Sequence, residues 1–159
     1  MGFLLTIVRL FIVGSLWVGP QLCLADEAWL LSSKADAFEA RRMLIEEAKG
    51  PIYASYFLAR EDEAAHLHFA LLREHVRATG QPVRVILDWF QNSLSSDYLG
   101  YLQEVGIEVR FYHSPFGRSL LDLPFRNHTK VLTNGMAVIA GDRNIAEAYF
   151  EQGPKRSTL

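Results

Sequence analysis

Residues 125–150 read FRNHTKVLTNGMAVIAGDRNIAEAYF. This short span holds His128, Lys130, Asn134, Asp142, Arg143 and Asn144, with apolar residues on either side of an Asn-Gly pair. Such a pattern predicts strand, Asn-Gly turn and strand, followed by a helix. Residues two apart share a strand face, so "HTKVLT" presents His128 and Lys130 together. An imidazole that titrates near neutrality beside an ammonium suits attack on a phosphodiester and neutralisation of its charge. Backbone amides near Gly141 and the Asn144 amide at a helix start would add an anion site. Taken singly, the same residues also read as an ordinary edge-strand lysine and surface histidine. Spacing alone leaves both readings open.

Working outward, "AFEARRMLIEEAKG" predicts a helix with Phe38, Leu44, Ile45 and Ala48 on its apolar side and Gly50 as its stop. "PIYASYFLA" reads as a strand. "EDEAAHLHFALLREHVRATG" opens on acids and closes on Gly80, with Ala65, Phe69, Leu72 and Val76 as a buried stripe. "PVRVILDWF" is a second strand, "SDYLGYLQEVG" a helix capped by Ser96 or Asp97, and "IEVRFYH" a third strand. Strands alternating with helices predict an α/β fold, a mixed sheet flanked by helices on both faces. Ligands in such sheets gather at strand ends. There Asp88, closing "VILD", either faces the ligand loop or caps a turn. Arg126 either touches a phosphate or lies in the loop before the histidine.

The chain has 159 residues, half of them apolar, and a net charge of −2. That is ordinary globular composition, with no global basic field to draw in nucleic acid. The single cysteine, Cys23, excludes an internal disulfide framework and any cysteine-built metal site. Residues 1–25 carry one charge, Arg9, then an apolar run ending in "CLA". They read as an export signal cleaved after Ala25, or as a retained N-terminal anchor. Residues 26–159 then form a single domain.

The run "HTK…NG…AGDRN" resembles the HxKxxxxD…GSxN motif of the phospholipase D superfamily. The full stretch, with "AFEARRMLIEEAKGPIYASYF", "LHFALLREHVRATGQPVRVILD" and "YLQEVGIEVRFY", is similar to its bacterial cardiolipin synthase branch over 37–150. The resemblance implies catalysis through a covalent phosphohistidine, without metal or cofactor. His128 would attack phosphorus, and a histidine from a second motif would protonate the leaving alkoxide. Lys130 and Asn144 would hold the non-bridging oxygens. The pattern departs at three places. Asn134 stands for the motif's aspartate, whose part is in the hairpin's hydrogen bonding. Asp142 replaces a glycine or serine, and only nine residues follow Phe150. The chain therefore resembles an N-terminal half-domain with one motif, shortened at its C-terminus, where the family continues with a strand whose acid orients the histidine. Gly141, Asp142, Arg126 and Asp88 complete the expected phosphate surroundings.

Elsewhere, His66 and His68 are two apart on a helix, so they diverge rather than chelate. His75 reads as a solvated helix residue, and His113 ends a strand at the pocket's side of the sheet. The apolar residues Phe111, Phe116, Leu120, Leu121, Leu123 and Phe125 suit either lipid contact or core packing. The expected activity is phospholipase D-like hydrolysis or phosphatidyl transfer in the periplasm or cell envelope. A phospholipid of phosphatidylglycerol type at a membrane surface is the expected substrate. The expected partner is a second copy or a second-half polypeptide bringing the other histidine. The alternatives are an exported homodimeric endonuclease of the same superfamily and a non-catalytic remnant.

Overall fold

The computed structural model describes residues 27–114 and 126–150. The expected signal or anchor, the apolar loop before the motif and the last nine residues lie outside that range. The chain divides into two units, Met1–Leu30 and Leu31–Leu159. In the first, residues 27–30 carry no helix or strand. The second holds every described element: α1 (Lys34–Glu46), β1 (Ile52–Tyr56), α2 (Glu63–Thr79), β2 (Val83–Asp88), α3 (Ser96–Glu104), β3 (Ile107–Tyr112), β4 (Lys130–Thr133), β5 (Val138–Ala140) and a 3-10 turn at Glu147–Tyr149.

The helix ends follow local chemistry. Ser33 caps α1 by accepting from the Asp36 amide at 3.0 Å, and Asp62 caps α2 by accepting from Ala65 at 3.0 Å. Gly80 ends α2 in the left-handed conformation at φ 67°. The cap of α3 is Ser95, one residue before the expected Ser96, and it accepts from the Tyr98 amide. The helix expected after the hairpin is a single 3-10 turn. Only residues 147–149 are wound, and Phe150 is already extended.

The five strands run in the order β3-β2-β1-β4-β5. β1, β2 and β3 are parallel, while β4 is antiparallel to β1 and β5 antiparallel to β4. The mixed α/β sheet is as the sequence implies. Among the described residues, the helices pack on one face. Ile52, Ala54, Tyr56, Val83, Val85, Leu87, Ile107 and Leu132 form one cluster with Ile45, Phe69, Leu72 and Leu102. The opposite face carries Tyr53, Arg84, Ile86, Glu108 and Arg110, with Tyr53 44% and Ile86 43% exposed. The alternation of Arg84 and Ile86 with Val83, Val85 and Leu87 is the period-two pattern of a strand with one wet face.

Gly106, between α3 and β3, has φ +85°, and a Cβ there would lie 2.9 Å from Val76 Cγ1. Gly106→Ala is expected to destabilise the fold by about 1–2 kcal/mol, read from a urea midpoint. His68 is buried against the Tyr56 ring, 5.8 Å between centroids. Burial, and secondarily the nearby Arg41 charge, push its pKa down from 6.5 to about 3. The folded state thus binds fewer protons than the unfolded one between those values. Stability is full above pH 6.5 and falls with acidification toward pH 3, by up to about 1.4 kcal/mol per unit. His68→Leu should flatten that slope in unfolding curves recorded from pH 7 to 4.

Candidate active site

The parallel strands end at Tyr56, Asp88 and Tyr112, and β4 begins beside the first of these, with Lys130 paired to Tyr56. Ala140 pairs with Val131, so the end of β5 reaches the same edge. His128, Lys130, Gly141, Asp142, Arg126, Asp88 and His113 therefore share one rim of the sheet, where the parallel strands' carboxyl ends gather.

His128 lies just before β4, with its side chain exposed. Its ring packs on Phe57, 4.2 Å between centroids. Lys130 Nζ stands 3.2 Å from His128 Nδ1 and donates to the His128 carbonyl at 2.7 Å. The same ammonium sits over the Phe57 ring at 5.2 Å. Phe57 is thus a shared platform for both candidates, and sequence reasoning passed over it. An ammonium only donates, so the lone pair at Nδ1 faces Lys130 and Nε2 is the ring atom left free.

Around them the loop is tightly bonded. Asp88, wholly buried, accepts from the Phe90 amide at 3.0 Å and the Asn127 amide at 3.1 Å. It both caps its turn and faces the loop that carries the histidine. Arg126 Nη1 lies 3.5 Å from Asp88 Oδ1, and its guanidinium stacks 4.3 Å over Phe90. Asn127 Nδ2 donates to Ser55 Oγ at 2.8 Å, and Asn127 Oδ1 accepts from the Thr129 amide at 3.2 Å. Ser55, Asn127 and Thr129 are further residues of the rim that sequence reasoning did not single out. The Asx pattern at Asn127–Thr129 was the available signal.

The anion site expected at a helix start does not form. The Gly141 amide donates to the Lys130 carbonyl at 3.2 Å, within the hairpin. Asn144 is 4% exposed, with its oxygen accepting from Leu58 N and its amide donating to the Tyr149 hydroxyl, both at 3.1 Å. It staples the hairpin exit to the segment after β1, adjacent to Phe57. The first amide of the 3-10 turn, Glu147 N, donates to Asp62 Oδ2. Asp142 is 91% exposed and lies 3.6 Å from Arg143, which also bonds the carbonyls of Leu31 and Ser32.

Asn134 lies at the opposite end of β4 from His128. It accepts from the amides of Met136 and Ala137 and donates to Leu44 O at 3.1 Å. The turn spans Asn134–Ala137, since Thr133 pairs with Val138, so it is four residues long rather than two. Gly135 takes φ 86° within it. The structure thus keeps Asn134 away from the rim and in the hairpin's own hydrogen bonding. His66 packs on Tyr98 at 4.9 Å while His68 faces Tyr56, so the pair diverges. His75 is buried rather than solvated, and burial lowers its pKa. Among the described residues no helix is long and apolar enough to cross a membrane.

No family model matches the chain. It is 33% identical over 135 residues to cardiolipin synthase C of Escherichia coli, covering 77% of this chain and 28% of that protein. It is 28% identical over 141 residues to cardiolipin synthase A of Pseudomonas fluorescens, covering 86% and 29%. The minor cardiolipin synthase of Bacillus subtilis is 27% identical over 129 residues, covering 79% and 32%. The chain thus spans less than a third of these relatives' length. Among solved structures, the phospholipase D family member Nuc of Salmonella typhimurium matches with TM-score 0.53 at 20% identity, covering 77% of this chain and 73% of that one. Phosphatidylserine synthase of Haemophilus influenzae matches with TM-score 0.61 at 19% identity, covering 79% and 30%.

Proposed function

The chain belongs to the phospholipase D superfamily, on its cardiolipin synthase-like side, and from that premise we propose that it carries one half of a phosphodiester-handling site, acting in phosphatidyl transfer or hydrolysis. The observation that carries the reading is the pairing of exposed His128 with Lys130, 3.2 Å apart on the Phe57 platform at the strand-end rim.

In the proposed reaction the His128 Nε2 lone pair forms a bond to phosphorus as the P–O bond to the leaving alkoxide breaks. That alkoxide takes a proton from a second histidine, supplied by another copy or another polypeptide. Lys130 moves from the His128 carbonyl onto a non-bridging oxygen and offsets its charge. Its departure frees Nδ1 to hold the ring proton, leaving Nε2 unprotonated for attack. Water or an alcohol then attacks phosphorus, gives its proton to the second histidine, and the N–P bond breaks. Asn144 supports this rim by holding Leu58 and, through it, the segment bearing Phe57.

A phospholipid of phosphatidylglycerol type is the proposed substrate, at a membrane surface of the cell envelope, on the strength of the cardiolipin synthase relatives. The whole chain incubated with phosphatidylglycerol vesicles should release phosphatidic acid or form cardiolipin in chelator. The nuclease reading gains from the match over 73% of the small Nuc chain. Plasmid nicking in chelator without lipid turnover would select it. Absence of both would leave the chain as a non-catalytic relative.

A further inference from the structure

We propose that Asp88 is a positioning residue for His128, acting through Asn127. Residues 126–129, just ahead of β4, have no strand partner among the described residues, so side-chain hydrogen bonds must help fix them. Asp88 extends from the end of β2 and is wholly buried. Its Oδ2 accepts from the amide of Asn127, the residue before His128, while Oδ1 accepts from Phe90 and lies 3.5 Å from Arg126. Asn127 then turns its side chain the other way. Its amide donates to Ser55 on β1, and its carbonyl accepts from both the backbone amide and hydroxyl of Thr129, the residue after His128. Ser55 and Thr129 hydroxyls meet at 2.6 Å.

His128 is therefore bracketed. Its two chain neighbours are tied to the ends of β2 and β1, and its own ring is left exposed on Phe57. A carboxylate without N–H groups can accept from both loop amides at once. An asparagine in its place would turn a donor toward one of them. Small displacements of a reacting group cost rate steeply, so a bracket of this kind acts on turnover rather than on substrate affinity.

The catalytic part of the inference rests on the phosphodiester reading; the positioning part does not. The test uses the full chain with isotope-labelled histidine and phenylalanine, in wild type, Asp88→Asn and Asn127→Ala. Nuclear Overhauser contact between the His128 and Phe57 rings is followed by NMR, with thermal unfolding in parallel. Expected is loss of that contact, with more than one His128 ring environment, in variants that still unfold cooperatively. Turnover of bis-p-nitrophenyl phosphate should show kcat lowered by about 10- to 100-fold with KM within about twofold. Should Asp88→Asn fail to fold, Asp88→Glu decides, since it keeps the carboxylate but displaces its oxygens from the Asn127 amide; Asn127→Ala, which keeps that backbone bond, tests the second tie to Ser55 and Thr129. Folded variants that retain the ring contact and a single His128 environment overturn the proposal. Loss of the contact with no wild-type turnover sustains the positioning and sinks the phosphodiester reading.

Discussion

His128→Gln is expected to abolish phosphodiester turnover, by at least about three orders of magnitude, with the fold unchanged. The side chain is exposed and makes no buried contact; its neighbours are the Phe57 ring and the Lys130 ammonium. Glutamine keeps a polar side chain but cannot form the covalent phosphoramidate the mechanism requires. Lys130→Met should cost less, about 100- to 1000-fold, because it removes one charge stabiliser and not the nucleophile. Release of phosphate-linked product from vesicles, with circular dichroism as the fold control, measures both. A His128→Gln protein as active as wild type would remove His128 from the chemistry. Trapping of radiolabelled phosphate on wild type but not on the variant would place the covalent bond.

Phe69→Ala should carry the largest loss of stability, about 3–5 kcal/mol, measured by urea unfolding. Phe69 is 1% exposed in the main core, with its ring edge-on to Tyr98 at 6.0 Å and to His68 at 5.8 Å. One packed layer joins α1, α2 and α3 to the strands, and its centre has little room to collapse around a cavity. A loss below about 1 kcal/mol would mean that the helical layer is not packed as described. The exposed Ile86, on the opposite face, serves as the contrast. Its replacement by Thr should change stability by no more than about 0.5 kcal/mol.

Much of the fold was legible locally. Asp62 and Gly80 bound α2 because a cap and a left-handed stop depend on neighbours within a few residues. Ala65, Phe69 and Leu72 are buried because helical period alone puts them on one stripe. The nearness of His128 and Lys130 follows from their spacing of two along an extended chain. The exposed side of β2 was also written locally, in the alternation of "VRVILD".

What the sequence determined by itself, then, was the order of the strands and main helices, the glycine stop of α2 and the pairing of the candidate histidine with its lysine. Tertiary structure alone decided the rest. Insertion of β4 beside β1 joins residues more than seventy positions apart, bringing Thr129 to Ser55 and Lys130 to Tyr56. The same register sets Phe57 under His128, buries Asn144 as a staple on Leu58, sends Asn134 to the far end of the hairpin, and brings Asp88 against Asn127. Hydrogen-bonding capacity is a property of each residue; its partner is a property of the register, and no local pattern encodes it.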